Sequence, residues 1–162
     1  PHIFRREHLH GSFFSGVFNL KQRERTMSAI TRFEEIKARQ TARELTNMVY
    51  NFTRQSQFSH DFGLKDQIQR ASISVMSNIA EGFESPTQAL FINFLGHAKA
   101  SAGEVRAQLY IAQDQNYITQ EQFDAAYALA EQTSRQLYGF IRYLETQPNA
   151  RRVREDHAEY NT

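Results

Sequence analysis

The side chains in this chain that could do chemistry begin with three serines, Ser72, Ser74 and Ser77, inside the run Arg70-Ala71-Ser72-Ile73-Ser74-Val75-Met76-Ser77-Asn78-Ile79-Ala80-Glu81-Gly82. A serine nucleophile needs a base within hydrogen-bond reach and a strained turn to present it. No Gly-x-Ser-x-Gly turn surrounds these serines and no His shares their segment, so no catalytic residue is assigned. A helical Ser more often bonds the carbonyl one turn back, or is kept small so that a neighbour can approach. Di-iron bundles place Glu-x-x-His on facing helices. Here His97 follows Asn93 and Phe94 with no Glu three residues before it, His60 lies among turn residues and His157 near the C-terminal end. The expectation is no metal and no cofactor, and no glycine-rich phosphate loop is present. Asn78 and Glu81 remain. Asn78 falls close to the apolar line of its helix, where a buried amide must be hydrogen-bonded or costs about 1–3 kcal/mol. Ser77, Asn78, Glu81 and Gly82 are therefore expected to pin a helix or subunit contact.

The cations suggest a second chemistry. Arg32 and Arg39 are seven residues apart, as are Lys99 and Arg106, and Arg135 and Arg142, so each pair shares one helix face. Facing stripes could grip phosphates with salt-sensitive affinity. The alternative is a set of solvated faces with local ion pairs, such as Glu131 with Arg135 at i,i+4. The aromatics, thirteen Phe and seven Tyr, fall mostly at core spacing and not interleaved with basic residues.

Four helices must position these groups. In the first, near Thr31 to Ser56, Phe33, Ala38, Thr41, Ala42, Leu45, Val49 and Phe52 make one apolar face. Residues 58–63 read as a short loop. The second starts near Leu64 and repeats Ile68, Ala71, Val75 and Ile79, with Gly82 placed to end or kink it through a positive φ. Ser85 is the expected N-cap of the third, Pro86 its first residue and Gln88 the capping-box partner. Phe91, Leu95, Ala98, Ala102, Val105, Leu109 and Ala112 then alternate steps of four and three. Asn116 suits a left-handed C-cap. Thr119 and Gln122 form a second capping box before a helix stopped by Pro148. Short loops between helices of this length give an all-α, up-down-up-down antiparallel four-helix bundle.

The chain has 162 residues, no Cys and a formal charge of +1. Disulfides and thiolate sites are thereby excluded, and a reducing, cytoplasmic setting is expected. No apolar run is long enough for a membrane span. Residues 1–26 carry five Lys/Arg and two Asp/Glu, the remainder fourteen and sixteen, so a globally basic nucleic-acid binder is not indicated. Met27 reads as a natural start. Residues 1–26 are then an extension, disordered or non-native, the bundle spans 27–147, and 148–162 is a polar tail.

The Arg70–Gly82 run, above all Ser77-Asn78-Ile79-Ala80-Glu81-Gly82, resembles the signature of a bacterial four-helix bundle family. That family includes proteins encoded in intervening sequences of 23S rRNA genes. The run is also similar to the accessory variability protein of diversity-generating retroelements. The likeness extends through Phe33-Glu34-Glu35-Ile36, Phe62-Gly63-Leu64-Lys65-Asp66-Gln67, and the third helix to Asn116-Tyr117-Ile118, and covers about residues 31–145. The chain departs from the family at Met76, where Pro is frequent, at Arg106, where an acid is common, and at Asn116, where Gly is common. The resemblance implies a homo-oligomer, most often a pentamer, and for the retroelement relatives the binding of nucleic acid and a reverse transcriptase. The expected function is a non-enzymatic homo-oligomeric bundle that contacts RNA or DNA within a ribonucleoprotein. The alternative is an oligomeric protein-interaction scaffold without nucleic acid.

Overall fold

The structure, a computed structural model, describes residues 30–146. The expected extension through residue 26 and the tail from 148 lie outside the described residues. Four α-helices follow one another, α1 (Lys37–Thr53), α2 (Phe62–Glu84), α3 (Gln88–Asp114) and α4 (Gln120–Thr146). Short 3-10 turns at Phe33–Glu35 and Ser56–His60 flank α1. Each helix packs on its two neighbours and α1 closes against α4, so α1 and α3 stand diagonally opposite. This is the expected all-α four-helix bundle.

The core divides along the bundle. At one end Leu45, Val49, Phe52, Phe58, Leu64, Ile68, Leu109 and Phe123 pack together. At the other, Ile36, Val75, Ile79, Phe83, Phe91, Leu95, Leu137 and Leu144 do. Apart from Ile36, Phe58 and Phe83, both sets follow the expected three-and-four spacing, which lays apolar side chains on one stripe of each helix. Between them half-buried Thr46 and buried Thr133 bond to backbone carbonyls: Thr46 Oγ1 donates to Ala42 O (2.8 Å) and reaches Ser72 O (3.2 Å), and Thr133 Oγ1 donates to Leu129 O (2.8 Å). The bond from Thr46 to Ser72 joins α1 to α2.

Helix boundaries follow local chemistry. α1 starts later than its apolar pattern suggests, because Thr31 is held by Glu35 (N to Oε2 3.0 Å, Oγ1 to Oε1 3.1 Å) across a 3-10 turn. The segment expected as a loop contains a 3-10 turn that buries Phe58 completely, stacked on Tyr117 at 5.1 Å. α2 then begins at Phe62, with Asp61 accepting from Leu64 N at 3.0 Å.

Two expectations around the α2–α3 connection are corrected. Gly82 neither ends nor kinks α2: it is buried inside the helix, and no described Gly has positive φ. Its missing side chain serves a close approach instead, since a Cβ there would stand 2.8 Å from both Phe91 Cδ2 and Phe94 Cβ of α3. Ser85 is not the N-cap of α3. Its hydroxyl closes α2 by donating to Gly82 O at 2.6 Å, and Thr87, with extended backbone, takes the cap by accepting from Leu90 N at 3.2 Å. Gln88 uses its amide to donate to Leu144 O, tying the start of α3 to the end of α4.

The α3–α4 connection follows expectation. Asn116 has φ 57°, and Tyr117 N bonds Ala112 O while Asn116 N bonds Gln113 O, both at 2.9 Å. These two bonds make a Schellman motif around one left-handed residue. Thr119 N reaches Gln122 Oε1 at 2.9 Å and Gln122 N returns to Thr119 Oγ1 at 3.2 Å, a complete capping box.

Candidate nucleic-acid interface

The signature run is a packing device on α2. Asn78 is half-buried and its Nδ2 donates to Ser74 O (2.8 Å) and Ser74 Oγ (3.0 Å). Ser74 Oγ in turn pairs with Ser101 Oγ of α3 at 2.9 Å. A hydrogen-bonded chain Asn78–Ser74–Ser101 thus crosses from α2 to α3 where Gly82 lets the two helices close up. Ser72 is fully buried and spends its hydroxyl on Gln69 O at 2.8 Å. Ser77 and Glu81 are exposed on the outer side of α2. Ser101, the far end of the chain of bonds, stood one residue before a core position in the sequence and gave no sign of its partner.

The six candidate cations do not converge. Arg32 is paired with Glu34 (3.3 Å) beside the first 3-10 turn. Arg39 lies over the Phe33 ring at 5.3 Å, and that ring meets Phe83 of α2, which places Arg39 on the α1–α2 side. The other four stand on α3 and α4. Arg106 lies over Tyr127 of α4 at 6.0 Å. Lys99 is seven residues back along α3 and Arg135 eight forward along the antiparallel α4, roughly 10 and 12 Å of rise, so the two stand at nearly the same level. Arg135 pairs with Glu131 (3.2 Å) and Arg142 with Glu145 (2.8 Å), all four side chains solvent-accessible. Lys99 is exposed and makes no ion pair among the described residues.

Sequence spacing kept aromatics and cations apart, whereas along α3 and α4 they interleave. Tyr110 is 50% exposed and packs on Phe123 (5.0 Å) and Tyr127 (5.7 Å), and Tyr138 is 57% exposed one turn from Arg135 and Arg142. The hydrogen bond with Tyr127, then the charge of that neighbour, hold the Tyr110 phenol above its ordinary range. The cause of the mismatch is angular. Tyr110 sits one residue past the core position Leu109 and Tyr127 one past Ala126, so both edge out beside the seam without leaving it.

His97 is exposed and meets Phe94 edge-on at 6.5 Å. Among the described residues no three His, Asp or Glu side chains gather as metal ligands, and no helix is long and apolar enough to cross a membrane. A shallow polar groove between α2 and α3 is lined by Gln67, Arg70, Ala71, Ser74 and Glu104. Beside it buried Gln108 donates to Glu104 at 3.2 Å.

Known proteins agree with this architecture. A protein of unknown function from the S23 ribosomal protein family of Bacteroides thetaiotaomicron, solved by crystallography, superposes with a TM-score of 0.60 at 24% identity. The match covers 65% of this chain and 95% of that one. At that identity the likeness speaks for the fold. No curated protein matches the chain. Residues 34–139, from the first 3-10 turn to the last third of α4, match the 23S rRNA-intervening sequence protein family. That span holds the whole signature run with its Asn78–Ser74 bonds and the Gly82 contact, and on it the chain belongs to the 23S rRNA-intervening sequence protein family.

Proposed function

We propose that this chain is a non-catalytic, homo-oligomeric bundle that binds nucleic acid, RNA or DNA, as part of a ribonucleoprotein or retroelement-type complex. The observation that carries the proposal is the α3–α4 strip, where half-buried Arg106 lies over Tyr127, Tyr110 packs on the same ring, and exposed Lys99 stands two turns back along α3. Cations fix phosphates, and exposed aromatic rings offer stacking surfaces that tolerate any base. The described bundle holds eleven Lys/Arg against thirteen Asp/Glu, so binding rests on local strips repeated around an oligomer. A closed pentameric ring and a reverse-transcriptase partner belong to the same proposal and follow the family resemblance.

Filter binding of RNA and DNA across a salt series tests it. Retention that falls steeply with salt is expected, and no retention at low salt rejects nucleic-acid binding. Lys99→Glu with Arg106→Glu should weaken retention about tenfold or more, because two favourable charges become repulsive.

The competing reading is a protein-interaction scaffold, favoured by Phe62 on α2 and by Leu90 and Ile111 on α3, which stand exposed. Under that reading the same charge reversals leave nucleic-acid retention at its background level and the mass of the oligomer unchanged.

A further inference from the structure

We infer that the outer face of α1, opposite the α3–α4 strip, is a second contact site that takes a single-stranded nucleic acid, and this inference rests on the nucleic-acid reading above. Arg43, Asn47, Tyr50 and Arg54 recur at i, i+4, i+7 and i+11 and so form one stripe along the helix. Asn47, Tyr50 and Arg54 line an open groove between α1 and α2, together with Thr46, Asn51 and Ile73. The charge of this stripe is not neutralised locally. No carboxylate lines the groove. Neither Arg43 nor Arg54 has an ion-pair partner among the described residues, whereas Arg32, Arg135 and Arg142 each have one. Glu44, the one acid of α1, is turned about 100° away from Arg43 around the helix.

Each member of the stripe has a use for a nucleic acid strand. Arg43 and Arg54 are separated by eleven residues, roughly 16 Å of helix, and can hold phosphates a few nucleotides apart with planar, bidentate guanidinium groups. The Arg54 guanidinium lies over the Tyr50 ring at 5.9 Å. A base entering the groove extends that stack, since guanidinium planes and aromatic rings both accept unstacked bases. The exposed Asn47 and Asn51 amides offer a donor and an acceptor to base edges. Ile73, 42% exposed, closes the apolar side of the groove. An acidic peptide would satisfy the two arginines but leave the stacked pair and the amides idle, so the observations favour a nucleic acid.

The test uses the full chain and fluorescein-labelled single-stranded RNA and DNA 20-mers of one sequence, run side by side so that the sugar preference is read directly. Arg43→Gln with Arg54→Gln should weaken binding at least about tenfold and reduce the salt slope by about 1.4, two phosphates at about 0.7 each. Both substitutions are at exposed positions, and circular dichroism checks that the bundle persists. Ultraviolet cross-linking followed by trypsin should leave a nucleotide adduct on the peptide Glu44–Arg54, which contains Tyr50. Tyr50→Phe keeps the ring and should keep affinity within about twofold. Wild-type affinity and slope in the double variant, or adducts confined to other peptides, overturn the site while leaving nucleic-acid binding itself intact. Polyglutamate that displaces the RNA at equal charge concentration overturns it in favour of an acidic protein partner. No binding by the unmodified chain removes the nucleic-acid reading and this site together, an outcome distinct from the others.

Discussion

At the scale of single residues, the ion pairs on α4 separate charge from function. Glu131 and Glu145 neutralise Arg135 and Arg142 in solvent, where such pairs contribute at most about 0.2–1 kcal/mol. Glu131→Gln with Glu145→Gln should therefore change folding stability by less than about 1 kcal/mol in urea titration, and, if the proposed function holds, tighten RNA retention by freeing two arginines. Asn78 behaves the opposite way. Asn78→Leu removes two bonds to Ser74 but leaves Ser74 with Ser101, so the expected loss is about 1–2 kcal/mol, read as a lower urea midpoint. Tyr117 gives a pH dependence. Loss of water around its ring on the Phe58 side, and then the nearby charge of Asp61, raise its phenol above its ordinary value. The folded state disfavours the phenolate, so this contribution is present below the unfolded pKa and is lost as pH rises through the folded one. Tyr117→Phe should flatten part of the stability loss measured above pH 10. That Asn78 would be hydrogen-bonded was legible from its place beside the core line. Its route through Ser74 to Ser101 was not, because a partner on another helix depends on the register between helices.

Between elements, the two connections that begin with a cap show what local sequence can and cannot specify. Thr119 and Gln122 satisfy each other within one turn, and nothing outside that turn competes. Thr119→Ala should cost about 1 kcal/mol and lower the melting temperature accordingly. At the α2–α3 connection the same kind of motif, Ser85-Pro86-Thr87-Gln88, points to the wrong cap, because Ser85 is drawn back to Gly82 O and Gln88 across to Leu144 O. Tertiary contacts outweigh the local signal there. Gly82 is the related case: its place near a helix end suggested conformational freedom, while its cause is the nearness of Phe91 and Phe94. Gly82→Ala should destabilise by about 1–3 kcal/mol through overpacking, visible as a lower melting temperature without loss of helical signal. Substitution at Gly96, which has open space around it, should not.

For the whole molecule, the period of apolar residues was enough to name the bundle, since four amphipathic stripes with short connections admit few arrangements. The distribution of charge over its four sides was not readable in the same way. It depends on which side of each stripe a residue falls, and an error of one residue moves it by about 100°. The α1 stripe went unnoticed for that reason, and because two of its four members are uncharged.

The diagonal placement of α1 and α3 has a consequence for the length of strand that binds. Neighbouring helix axes lie about 8–10 Å apart, so the two cationic sides of the bundle face away from each other across two helix layers. An oligonucleotide of a few bases can occupy one side and no more. A longer one can reach the second side only by curving round the bundle or, in the proposed oligomer, by passing to a neighbouring copy. Affinity plotted against oligonucleotide length should therefore rise in a step and not smoothly, the step marking the length at which a single strand first engages two sides. Titration of RNAs from 4 to 30 nucleotides would locate the step, and its loss in the Arg43→Gln, Arg54→Gln variant would tie it to α1.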